Sequence, residues 1–264
     1  MVRFIAWKFL FLFLFLISIT NGTTLRVQGG NWGNVKTDEV QKVLDCTLHV
    51  FLPLSPALQK YEIVVGSTSE SPKVLYERSS GGEYSIELTA KGRHWCQYVF
   101  QFSHELGHIM CGYKRGESSN LWFEESICEV ASLYALQKIG KVWKERSSNK
   151  TWQSYSEEFQ KYRRERIRNS SYPENFHLSP WWEKNRVVLS AHPHLRKENT
   201  WVAWSLYNLF AQRPSIAWSS CFWLNHTKSK QELSFEQYLQ NWKTSCPEIA
   251  QKEFVEKIVT QFQF

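Results

Sequence analysis

The sequence predicts an α+β chain in which a small N-terminal mixed sheet is followed by a mostly helical remainder. Three observations lead there. Between residues 24 and 89 the apolar residues come in short runs separated by Gly, Ser and Pro. From Trp95 onward they recur every three or four positions. The chain has 264 residues, 42% hydrophobic, 16% aromatic and 22% charged, which gives enough apolar surface for a sizeable core and excludes a disordered chain. The net charge of +7 is spread without a run of five basic residues, so no nucleic-acid partner is expected.

Residues 1–22 read as a signal peptide. Arg3 and Lys8 precede the apolar run 9–17, and small or polar residues end at Gly22. The run is shorter than the ~20 residues a membrane span needs, although an uncleaved anchor is the competing reading. No later segment is long and apolar enough to span. The mature protein is therefore expected to be secreted, or periplasmic in a bacterium, with no stable membrane insertion after cleavage. Six cysteines, Cys46, Cys96, Cys111, Cys128, Cys221 and Cys246, suit an oxidising compartment and are expected to pair. The sequence does not choose among the pairings, and buried free thiols are the alternative. Asn149, Asn169 and Asn225 head glycosylation triplets.

Within the first lobe, 23–112, strands are expected at 48–52, 62–65, 73–76 and 84–88, after a short helix at 37–45 with Thr37 able to cap it. Val99, Phe102, Leu106 and Ile109 then mark a helix over 95–110, ended by Gly112. The second lobe, 113–264, begins with a helix over 123–139 closed by Gly140. A third helix carries Tyr155, Phe159, Tyr162 and Ile167, with the basic residues Lys161, Arg163, Arg164, Arg166 and Arg168 as a solvated face. Residues 169–195 read as irregular. Helices follow at 201–211, at 216–224, after Ser234 with Gln237 completing a capping box, and at 247–262.

Chemistry concentrates in His104-Glu105-Leu106-Gly107-His108. Residues four apart share a helix face, so His104 and His108 can offer two imidazole nitrogens to one metal ion. Glu105 can stand beside that ion and hold a water. The next helix opens Trp122-Phe123-Glu124-Glu125-Ser126-Ile127-Cys128-Glu129. A helix hairpin brings Glu125 against both histidines, and two His with one carboxylate leave the fourth position of a zinc ion open to water. Glu129, one turn on, can accept a hydrogen bond from a ligating imidazole.

His-Glu-x-x-His followed by Glu-x-x-x-Glu resembles the gluzincin metallopeptidases of the thermolysin and aminopeptidase type, over about residues 84–139. The resemblance implies a zincin-like two-lobed domain holding one Zn2+ through His104, His108 and Glu125, with Glu105 as general base and Glu129 supporting a ligand. It implies that 84–88 is the edge strand pairing with extended substrate, and that a downstream Tyr or His, His194 or Tyr207, stabilises the oxyanion. Departures from the family remain. Sixteen residues separate His108 from Glu125, against eighteen in the aminopeptidase pattern. Glu124 takes the usual Asn position and Ser126 the usual Gly, so a one-residue slip makes Glu124 the ligand. Cys111 and Cys128 are placed to staple the two helices by a disulfide, with direct ligation by either as the rival. The expected activity is hydrolysis of a peptide or protein substrate. The alternatives are a binding module in which some of the 13 Trp, such as Trp181 and Trp182, stack on a sugar or partner protein, and a silent metallopeptidase fold used for recognition.

Overall fold

The computed structural model describes residues 24–59, 62–113, 118–146, 150–226 and 232–264. The leader and Asn149 lie outside the described residues. Four short strands form one sheet: β1 (Leu25–Val27), β2 (Ile63–Ser67), β3 (Lys73–Leu75) and β4 (Tyr84–Leu88), in the order β1-β2-β4-β3. β1, β2 and β4 run parallel, and β3 returns antiparallel to β4 with Val74 opposite Ile86. β4 alternates buried Tyr84, Ile86 and Leu88 with half-exposed Ser85 and Glu87, the period-two pattern of a strand with one face on the core. It is an interior strand, because β2 and β3 occupy its two sides. The edge strands are β1 and β3, which corrects the expectation for 84–88.

α1 (Thr37–Phe51) precedes β2. Residues 48–52, expected as a strand, continue this helix. Val40, Val43, Leu44, Thr47, Leu48 and Phe51 are all buried on one stripe, and β-prone residues yield to that tertiary contact. α2 (Trp95–Met110) carries the His-Glu-x-x-His segment and packs across α1, β3 and β4. Gly112 follows it at φ +96°, the left-handed turn that favours Gly after a helix.

α3 (Leu121–Arg146) is the hub, in contact with α1, α2, α4 (Lys150–Asn169), α5 (Leu178–Ala191) and α6 (Arg196–Gln212). Its apolar residues face every direction, and Ile127, Val130, Leu133, Leu136 and Ile139 are fully buried, as expected for a core helix. Gly140 does not end α3. It lies inside the helix where α4 crosses, and an added Cβ would sit 3.0 Å from the Ser156 carbonyl oxygen. α5 occupies the stretch expected to be irregular. Pro180 falls in its first turn, where backbone N–H groups lack helical partners in any case, and only Leu178, Trp182 and Leu189 are buried, a thin stripe for sequence to reveal.

α7 (Pro214–Cys221), α8 (Phe235–Ser245) and α9 (Ile249–Gln261) complete the helical part. Ser234 caps α8 by accepting from the Gln237 N–H, as the sequence foretold. One continuous apolar core runs from Val27 to Phe262 across both halves of the chain. Among the described residues no helix is long and apolar enough to cross a membrane.

α2 and α3 meet most closely at Gly107, where a Cβ would lie 2.8 Å from the Cys128 Cα and 2.7 Å from its sulfur. Gly107→Ala should force the two helices apart and destabilise the fold by about 1–3 kcal/mol, read as a lower denaturant midpoint at unchanged slope.

Candidate metal centre

α2 presents His104 and His108 on one face, their rings 5.4 Å apart and nearly perpendicular. Across the helix crossing, α3 supplies Glu125. Its Oε2 lies 3.1 Å from His104 Nε2 and its Oε1 lies 3.6 Å from His108 Nε2. Two ligands of one tetrahedral zinc with bonds of about 2.1 Å stand roughly 3.4 Å apart, so these donors already have the separation of atoms sharing an ion.

A second carboxylate lies on the Nδ1 side of each ring, hydrogen-bonded at His108 alone. His108 Nδ1 is 2.7 Å from Glu124 Oε1, and His104 Nδ1 is 4.0 Å from Glu129 Oε2. Glu124 is wholly buried. Its second oxygen accepts from Asn225 Nδ2 at 2.7 Å, and the Asn225 carbonyl oxygen accepts from the Tyr238 hydroxyl at 2.8 Å. Glu129 accepts from the Thr200 hydroxyl at 3.1 Å and lies 3.5 Å from the Arg166 guanidinium. The Glu124 hydrogen bond fixes His108 with Nε2 facing the shared centre, as metal-binding histidines require, while Glu129 lies beside His104 without bonding to it.

Charge follows this geometry. Burial raises the Glu125 carboxyl, but hydrogen bonds from His104 and His194 and the charge of both α2 histidines outweigh it and hold the group well below its ordinary range. Burial opposes the charged form of His108, yet Glu124 and Glu125 carry it up to about 10. Burial raises Glu105, against the pull of His104 and His108. Glu105 also takes a hydrogen bond from the Val74 N–H, which places the edge strand β3 directly beside the candidate base.

His104, His108 and Cys128 each offer a ligand atom within 4.8 Å of the others, and this group could bind a metal ion. Cys128 differs from Glu125 in two ways. Its side chain is wholly buried against Gly107, and burial together with Cys111 pushes its thiol up from the ordinary range. The six cysteines are free thiols, so the expected pairing is not formed. Cys111 is hydrogen-bonded to both Cys128 and Cys221 without a bridge.

The structure brings His104, Glu105, His108, Glu125, Glu129 and His194 together. His194 follows α5, with Nδ1 3.3 Å from Glu125 Oε1 and a side chain 69% exposed. Tyr207 is elsewhere. Its hydroxyl donates to Gln137 Oε1 at 2.5 Å and its ring lies 4.4 Å beneath the Arg163 guanidinium. It shares the buried face of α6 with Thr200, but seven residues along a helix carry it about 10 Å away. The basic face of α4 is only partly solvated, since Arg163 turns onto Tyr207 and Arg166 reaches Glu129.

Sequence reasoning missed Tyr76, Asn225, Thr200 and Arg166. The Tyr76 hydroxyl lies 3.3 Å from His108 Nδ1, and no local pattern marks it. Asn225 stood in a glycosylation triplet, yet it is buried and its amide donates to Glu124 and to the Cys111 carbonyl, which leaves no room for a glycan. Trp181 and Trp182 do not form a stacking pair, because Trp182 is buried on Phe235 while Trp181 rests on Phe176 and Trp201.

No protein-family model, curated protein or solved structure matches the chain.

Two outcomes follow from this arrangement. A metal must displace the proton of each imidazole, and His108 keeps its proton up to about pH 10. Apparent metal affinity should therefore rise with pH through the neutral range, with protons released on binding, measurable by calorimetry in buffers of different ionisation enthalpy. Asn225→Ala removes a donor to Glu124 and should weaken metal binding by about tenfold or more, read by competition with a chromophoric chelator.

Proposed function

We propose that this chain is an exported zinc-dependent peptidase. One observation carries the reading: the Glu125 carboxylate spans the Nε2 atoms of His104 and His108 while Glu124 holds the Nδ1 side of His108. Three donors converge, and the exposed His194 side shows that the centre is open to solvent. Glu125 is preferred over Cys128 as third ligand because its two oxygens already lie against both Nε2 atoms.

A bound zinc ion supplies Lewis-acid polarisation of the scissile carbonyl and brings the pKa of an attached water to about 7. Glu105 takes the proton of the attacking water and delivers it to the leaving amine. Burial raises its carboxyl from the ordinary range, the direction that favours taking up and returning a proton. The Val74 N–H fixes its orientation. His194 reaches the same centre beside Glu125 and donates to the oxygen that gains charge during attack. Tyr207 has no part in this chemistry.

The purified mature protein should contain about one zinc per chain by elemental analysis and cleave unstructured protein in a chelator-sensitive way. His104→Ala should lose the metal. Glu105→Gln should keep it and lose activity by on the order of a hundredfold or more. Glu125→Ala should release zinc while Cys128→Ser retains it. Full activity in Glu105→Gln would falsify the role of this base, and the reverse metal result for Glu125 and Cys128 would make Cys128 the third ligand in place of Glu125.

A further inference from the structure

A pocket of about 550 Å³ is lined by Trp122, Trp182, Val187, Ala191, Phe235 and Phe264 among others. This lies within the ~300–1,000 Å³ typical of sites that take small groups. Its aromatic walls interlock: Phe235 lies 4.8 Å from Trp122 and 5.4 Å from Trp182, ring to ring, and Phe264 lies 5.0 Å from Trp182. Trp122, Trp182 and Phe235 are buried, whereas Val187 is 73% exposed, so the pocket is closed by rings at its base and open beside a β-branched residue that finds no core partner.

Two chain segments connect this pocket to the metal centre. On α3, Trp122 stands three residues before Glu125, on the same helix face and about 4.5 Å along the axis. At the end of α5, Ala191 lines the pocket, and three residues later His194 touches Glu125 at 3.3 Å, a span of at most about 10 Å of chain. Both walls thus lead to the Glu125 carboxylate. An extended peptide advances about 3.3–3.6 Å per residue, so a side chain within three residues of a bond held at the centre can enter the pocket.

We propose that this pocket receives a bulky apolar side chain of the substrate and sets the cleavage preference, a reading that rests on the peptidase assignment. The lining favours such a group over an acidic one. Arg186 is drawn 3.1 Å to Glu183, and Glu232 and Glu236 line the pocket and repel an acidic side chain. Burial of an aromatic or branched aliphatic side chain against these rings supplies the discrimination.

The test uses metal-loaded protein and peptide pairs that differ only by Phe or Ala at each position flanking the cleaved bond. One position should show a kcat/KM ratio favouring Phe by on the order of tenfold or more. Val187→Glu and Ala191→Trp, which charge or fill the mouth, should bring that ratio toward one. Binding of the same pairs to metal-loaded Glu105→Gln protein, followed by tryptophan emission, should show the same preference. Ratios near one at every position, or a ratio that survives both substitutions, overturn the proposal. Phe-selective binding by Glu105→Gln protein with no cleavage by the wild type would sink the peptidase reading and leave the pocket as an apolar-peptide site.

Discussion

The close crossing of α2 and α3 at Gly107 and Cys128 is the constraint on which the rest of the molecule depends. No methyl group fits between the two backbones there. That approach brings one turn of α3 within reach of the two histidines on α2, and a wider crossing would separate the Glu125 oxygens from both Nε2 atoms. α3 can serve as a fixed wall because it is buried on all sides by α1, α2, α4, α5 and α6. The candidate metal site is therefore built on a helix buried within the core, as precise donor geometry requires.

The same crossing gathers Glu105, Glu124, Glu125 and Glu129 around two imidazoles with little solvent. Buried carboxylates are costly unless charge and hydrogen bonds compensate them. Here each has its own compensation. Asn225 and His108 hold Glu124, Thr200 and Arg166 hold Glu129, and the Val74 N–H meets Glu105. Glu125 alone faces three histidines. Two imidazoles and a carboxylate on one side of the crossing are the donor types that a divalent cation takes. The compensating groups come from β3, α4, α6 and the segment after α7, so nearly every layer of the fold contributes to holding two side chains in place.

Much of the centre was legible in the sequence, because its first requirement is local. His104 and His108 are four residues apart on an amphipathic helix, and Glu125 and Glu129 are four apart on the next, and helical pitch alone puts each pair on one face. The capping box at Ser234 and the Gly112 turn were legible for the same reason. Where sequence reading failed, a tertiary contact overrode the local pattern. Residues 48–52 carry β-prone side chains but complete the buried stripe of α1. Gly140 looks like a stop yet serves a helix crossing. α5 hides behind Pro180 and a sparse apolar stripe. Asn225 fits a surface motif and is buried.

By itself the sequence determined the identity and spacing of the candidate ligands and the division of the chain into a short sheet followed by helices, since both follow from backbone periodicity over a few residues. Only the tertiary structure decided that Glu125 faces the shared centre while Glu124 turns to the far side of His108, that His194 arrives and Tyr207 does not, and that the edge strand beside the base is β3. Those outcomes depend on the angle and depth at which separate helices cross, and these are fixed by packing among residues far apart in the chain.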